Sequence, residues 1–135
     1  MIFLLIIKII SNIFKNTIYD INKMEFNNLL NLINNNNNLI NNNEKNIYIH
    51  SKSLDLGIIP GVNDDIKNIL NNNFNITTTI QLYGQFMLLF ENDIEYTTYN
   101  FYLWLNNHLI NINQEYIVKI TCCVKEKLQY VLNMN

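Results

Sequence analysis

Few residues in this chain have chemistry to offer, and most of those that do sit close together. The run Leu56-Gly57-Ile58-Ile59-Pro60-Gly61-Val62-Asn63 gathers two of the three glycines and the only proline, which marks one deliberate tight turn. Cys122 and Cys123 are adjacent and are the only cysteines. Two thiols are too few for a four-ligand structural zinc site, and neighbours on a helix diverge and cannot pair. Lys119 and Lys125 nearby could favour a thiolate, but a half-buried structural pair is the plainer reading. Free thiols fit a reducing compartment. His50 and His108 lie far apart with no ligand spacing and read as structural or solvated, and Glu115 and Glu126 as solvated helix faces. There is no Gly-rich phosphate loop, no Ser/His/Asp set and no metal cluster, so neither an enzyme nor a metal or other cofactor is expected.

Composition narrows the partners. Asn, Ile, Tyr, Phe and Lys dominate, Ala and Arg are absent, and the bias runs through every segment, so single Asn residues carry little information. Charged residues are 15% of the chain and the formal charge is −2. Residues 1–43 set three lysines against two carboxylates, net +1, and residues 44–135 set six against nine, net −3. This is not the basic footprint of a strong nucleic-acid binder. Without Arg there is no bidentate fork, so any phosphate contact falls to backbone amides, Lys or Asn and Gln side chains.

The elements that must position these residues follow from periodicity. Residues 1–14 are an apolar stretch broken by Lys8, Ser11 and Asn12, too short and interrupted for a clear membrane span and without the basic start and cleavage site of a signal peptide; the leading expectation is no functional element, with a membrane or secretory role, or a structural helix packed on the domain, as the alternatives. Met24 is an alternative start. Residues 24–43 mix Leu and Ile with Asn runs: Leu29, Leu30, Leu32, Ile33, Leu39 and Ile40 could line a broken helix, and Asn34 to Asn38 read as a mobile linker. Residues 1–43 are therefore taken as a low-complexity arm and 44–135 as the domain. Ile66, Ile69 and Leu70 predict a helix over 64–73 with Asn63 as its cap, and Asp64 and Asp65 suit the positive end of its dipole. Residues 76–90 are expected to be helical although Thr77 to Thr79 favour strand. Phe101, Trp104, Leu105 and Leu109 predict a helix over 94–109. Ile117, Ile120, Val124, Leu128 and Val131 predict another over 114–131.

The Pro60-Gly61-Val62-Asn63 turn, followed at once by a helix, resembles the hairpin of helix-hairpin-helix DNA-binding elements. There a glycine lets the backbone approach a phosphate with no Cβ in the way. The amides at the start of the next helix, aided by its dipole, point at the phosphate. The expected contacts are Gly61, Val62 and Asn63, with Val62 plugged into the core. Asn63 stands where the second glycine would be. It is expected to tolerate a left-handed backbone while its side chain crowds the phosphate. Further matches come in order. Tyr83-Gly84-Gln85-Phe86-Met87-Leu88-Leu89 is similar to the Leu-Gly-Gln-Phe-Leu-Val-Leu run of the barrier-to-autointegration factor family. Phe101-Tyr102-Leu103-Trp104-Leu105 is similar to its Phe-Arg-Glu-Trp-Leu, and Cys123-Val124-Lys125-Glu126 to its Cys-Leu-Arg-Glu.

That resemblance, covering about residues 44–135, implies an all-α, compact five-helix domain with a helix-hairpin-helix element. It also implies a homodimer that bridges two double-stranded DNA duplexes without sequence preference. Implied partners are nuclear-envelope proteins with a LEM domain and possibly lamin or histone, and the implied location is the nucleus, with cytoplasm. Gly84, Gln85 and Phe86 are the expected dimer or partner contacts, Gly84 permitting close approach. The family's basic segment before the last helix corresponds to Asn111-Ile112-Asn113-Gln114-Glu115, which has no Lys, and Lys45 or Lys52 are the rough candidates for its N-terminal basic contact. The competing expectation is a dimeric protein-interaction module of the same fold that does not bind DNA.

Overall fold

A computed structural model of the chain describes residues 1–35, 41–91 and 93–133. It is all-helical, with no strand among the described residues. The elements are α1 (Ile2–Asn35), α2 (Asn42–His50), a 3-10 turn (Leu56–Ile58), α3 (Asp64–Phe74), α4 (Thr79–Leu88), α5 (Ile94–His108) and α6 (Gln114–Val131). Of the expected linker at Asn34 to Asn38, Asn34 and Asn35 close α1, and the rest, with Leu39 and Ile40, lies outside the described residues. Among the described residues no helix is long and apolar enough to cross a membrane.

The helices α5 and α6 pack on each other at the centre, with α1 and α2 against α6 and α4 against α5. The predicted periodic residues form this core: Phe101, Leu105 and Leu109 from α5 and its end, and Ile117, Ile120, Val124 and Leu128 from α6, are all buried. Trp104 is half-buried and stacks beside Phe101, while Val131 points out at 58% exposure. Phe86 of α4 meets Phe101 edge to face at 5.1 Å. The stretch before α4 shows how the Thr run is used. Thr77 and Thr78 stay extended, and Asp55 forms one antiparallel bridge with Thr78. Thr78 then caps α4: its hydroxyl accepts from the Gln81 amide, and the Gln81 side chain reaches back to the Thr78 amide. This reciprocal pair satisfies two orphan donors. The helix expected over 76–90 is thus the shorter Thr79–Leu88, because strand-prone Thr residues serve better as its extended entry and cap.

One lysine joins the two ends of the domain. Lys127 of α6 is only 7% exposed. Its ammonium donates to the carbonyls of Tyr48, Ile49 and Ser51 at 3.2, 2.6 and 2.6 Å. The end of α2 leaves such carbonyls short of helical donors; only that of Tyr48 has a second partner there, the Ser51 amide at 3.1 Å.

Candidate functional site

The hairpin is a tight turn seated on α6. The Val62 N–H donates to the Ile59 carbonyl at 3.1 Å, which closes a four-residue turn with Pro60 and Gly61 in the middle. Gly61 has φ +96, the left-handed conformation that the third position of a type II turn requires. It also lies tight on α6. A Cβ there would come within 3.1 Å of Ile120 Cγ1 and 3.2 Å of the Tyr116 carbonyl oxygen. Glycine is therefore needed twice, for dihedral and for space.

Asn63 departs from its expected conformation. Its φ of −103 and ψ of −179 are extended, so no left-handed residue is needed after Val62. Its side chain turns back and accepts from the Ile66 amide at 2.9 Å, which caps α3. The crowding of a phosphate expected from this side chain is thereby relieved: capping holds it onto its own helix. Val62 is half-buried against the core, as expected, but its amide is committed to the turn. Among the described residues the amides of Gly61, Asn63, Asp64 and Asp65 have no protein acceptor. The amides without a protein acceptor are thus those of Gly61, Asn63, Asp64 and Asp65, rather than the Gly61, Val62 and Asn63 set expected.

The electrostatics of this corner are mixed. Asp64 and Asp65 are exposed beside these amides. Two lysines that the sequence does not assign to the hairpin approach it. The Lys119 β-carbon would lie 3.5 Å from a Cβ at Gly61, and its ammonium is 3.9 Å from Glu44. Lys67 of α3 pairs with Asp55 at 2.9 Å and covers Gly57. The Gly57 amide donates to Asp55 at 2.8 Å, and with Lys67 it holds the Asp55 carboxyl below the usual carboxylate range. Lys67 could have been found by spacing, since it lies four residues after the cap on the same helix face. Lys119 could not, because its approach to Gly61 depends on how α6 packs.

No family model, curated protein or solved structure matches the chain. The remaining expected site residues must be read from geometry alone. Gly84 is exposed on α4, and a Cβ there would meet nothing within 4 Å. Gln85 is half-buried. Phe86 is fully buried in the subunit's own core, so it is not surface for a partner and drops out of the expected contact set. Ile80, Met87 and Leu88 are the exposed apolar residues of α4, at 63%, 40% and 80%, spaced to run along one side of the helix with Gly84 between them.

The cysteines are structural. Burial pushes Cys122 up to about 11 and Cys123 up to about 12, with Glu126 adding to both and lysines partly offsetting. His50 meets the Tyr130 hydroxyl at 3.2 Å, and His108 the Trp104 carbonyl at 2.8 Å. Among the described residues no group of His, Cys, Asp or Glu could hold a metal ion.

Proposed function

We propose that the chain is a sequence-nonspecific double-stranded DNA-binding protein of the barrier-to-autointegration factor type. In this reading α2 to α6 are its five-helix domain and residues 56–74 its helix-hairpin-helix element, with the first helix shortened to a 3-10 turn. The observation that carries it is the Pro60–Gly61 turn. Left-handed Gly61, pressed onto α6, leaves its own amide, that of Asn63 and the first turn of α3 without protein acceptors. Such amides, with the helix dipole behind them, bind phosphate. Contacts of this kind position a duplex without reading its bases. Homodimerisation through α4 would place two hairpins in one particle and let it bridge two duplexes. Nuclear-envelope proteins with a LEM domain, and lamin or histone, are the partners this reading implies, in the nucleus and cytoplasm.

The test is a mobility-shift titration of the full chain on duplexes of unrelated sequence. Few lysines contribute, so the slope of log affinity against log salt should be shallow, about −2 to −3 for two or three neutralised phosphates. Asp64→Asn with Asp65→Asn should tighten binding roughly threefold to tenfold at low salt, where screening is weakest. Lys119→Gln should weaken it. If the wild type and the double variant both fail to shift any duplex while remaining folded dimers, the DNA reading is wrong.

A second reading has its own observation. Four of the domain's six lysines are engaged within the chain: Lys45 with Glu126, Lys67 with Asp55, Lys119 with Glu44, and Lys127 with backbone carbonyls. A domain that spends its cations internally fits a protein-interaction module of the same fold, docking through the apolar side of α4. The double aspartate variant separates the two readings, because it strengthens only the first.

A further inference from the structure

The first half of α1 is a large apolar surface exposed among the described residues. Residues 1–17 are exposed without interruption, with Ile2 at 77% and Phe3 at 73%. From Ile6 onward the helix gives this stretch two unlike sides, whereas Leu4 and Leu5 before it fall on the same flank as the lysines. Lys8, Ser11, Asn12 and Lys15 recur at steps of three, one and three, so they share one flank. The opposite arc carries Phe3, Ile6, Ile7, Ile10, Ile13 and Phe14. Thr17 is the one polar residue in that arc, and its hydroxyl donates to the Ile13 carbonyl at 2.9 Å. It therefore brings no unmet donor into an apolar medium.

Charge decides what could cover this arc. The only charged side chains before Asp20 are Lys8 and Lys15. The lysines lie opposite the arc and so outside a seam between two arcs, but a paired helix would still carry four cations and no carboxylate before Asp20 to offset them. An anionic lipid surface offers the missing charge along with an apolar interior for the arc. From Ile2 to Thr17 the helix is roughly 24 Å long at 1.5 Å per residue, short of the ~30 Å hydrocarbon thickness. It can lie in the boundary of one leaflet but not span. Further along, α1 packs on α6, and the Lys23 ammonium lies 5.3 Å from the Tyr96 ring centroid, so the helix is tied to the domain behind it. We propose that residues 2–17 are an in-plane membrane anchor: the isoleucine and phenylalanine arc enters the headgroup–acyl boundary of an anionic bilayer, and Lys8 and Lys15 sit among its headgroups.

The experiment is flotation of the full chain with vesicles of phosphatidylcholine alone, or with roughly three parts in ten phosphatidylserine to reach a typical anionic surface. The chain should float with the anionic vesicles and largely stay behind with the neutral ones, less so as salt rises. Lys8→Glu with Lys15→Glu should lower the partition on anionic vesicles about tenfold or more by reversing the attraction. Ile6→Asn with Ile10→Asn should abolish it at unchanged circular dichroism. No flotation on either vesicle, or equal flotation on both, overturns the proposal. So does a vesicle-free assembly in sedimentation velocity that Ile6→Asn with Ile10→Asn dissolves, because the arc would then be covered by further copies of the chain. None of these substitutions touches the hairpin, so the outcome is independent of DNA binding.

Discussion

At the residue scale, the backbone decides more than the side chains. Gly61 combines a positive φ with contacts that leave no room for a Cβ. Gly61→Ala should therefore cost about 1–2 kcal/mol from the left-handed conformation alone, with more from the clash with Ile120 and the Tyr116 carbonyl, and chemical denaturation should read the loss directly. It follows that Gly61→Glu is a poor probe of DNA binding, because it perturbs the turn before it meets any phosphate. Asn63→Gly is milder. It removes a cap, and glycine at that position costs only a few tenths of a kcal/mol; since the Asn63 side chain already folds back onto α3, little DNA affinity should be gained. Asp55 carries a pH dependence. Its folded-state carboxyl titrates below its ordinary 3.8, so the stability it lends to the 55–57 turn is present above about pH 4 and is lost as pH falls through the lower folded value. Asp55→Asn should flatten that acid limb of the unfolding profile. The cysteines carry another. With folded values of about 11 and 12, neither thiol should be alkylated appreciably by iodoacetamide at pH 8 in the folded protein, whereas both should react in denaturant.

At the element scale, α6 organises the domain. It backs the hairpin through Tyr116, Lys119 and Ile120, and it caps α2 through Lys127. Lys127→Met keeps the aliphatic stem but leaves the Tyr48, Ile49 and Ser51 carbonyls without their shared donor. It should cost about 2–3 kcal/mol and lower Tm by roughly 10 °C, whereas Lys125→Met, on the same helix but outside this cap, should change Tm little. The periodic helices were legible from sequence because α3, α5 and α6 each bury one stripe: Ile66 and Leu70, Phe101 and Leu105, Ile117 through Leu128. The Asn63 cap was legible for the same local reason. The entry to α4 was not, because Thr77 and Thr78 act through a bridge to Asp55 and a capping pair with Gln81, and the bridge is set by tertiary contact. The roles of Lys119 and Lys127 were equally out of reach. Both act on backbone more than fifty residues away in the chain, and no spacing along α6 marks them out from Lys125.

At the scale of the whole molecule, exposed apolar residues gather on the free half of α1 and along one side of α4, with others such as Ile47, Leu54, Ile110 and Val131 outside both groups. If the first is a lipid anchor, a chain that also grips DNA would hold a duplex near a membrane without needing a membrane protein for the purpose. The second is the surface through which the proposed homodimer would form. Ile80, Met87 and Leu88 offer apolar contact, and Gly84 between them lets a partner's backbone come close. Gly84→Glu is a clean test because of where this glycine sits. Apart from its chain neighbours and its own helix backbone, no heavy atom among the described residues lies within 4 Å of the Cβ position, so a Cβ there has open space and the new side chain can extend from an exposed helix face. A glycine inside an exposed helix also costs about 1 kcal/mol relative to a good helix former, so the variant's monomer should be as stable as before or slightly more so. In a dimer the same side chain would put a carboxylate into an apolar seam, where burying an unpaired charge is prohibitive. Sedimentation equilibrium on a parent carrying Ile6→Asn and Ile10→Asn, which removes any contribution from α1, should show a dimer at micromolar concentration. Adding Gly84→Glu should give a monomer with unchanged helix content and a Tm that does not fall in the concentration-independent limit. A parent already monomeric at that concentration, or a Gly84→Glu variant still dimeric, would place the subunit contact away from α4 and leave its apolar side to a different protein.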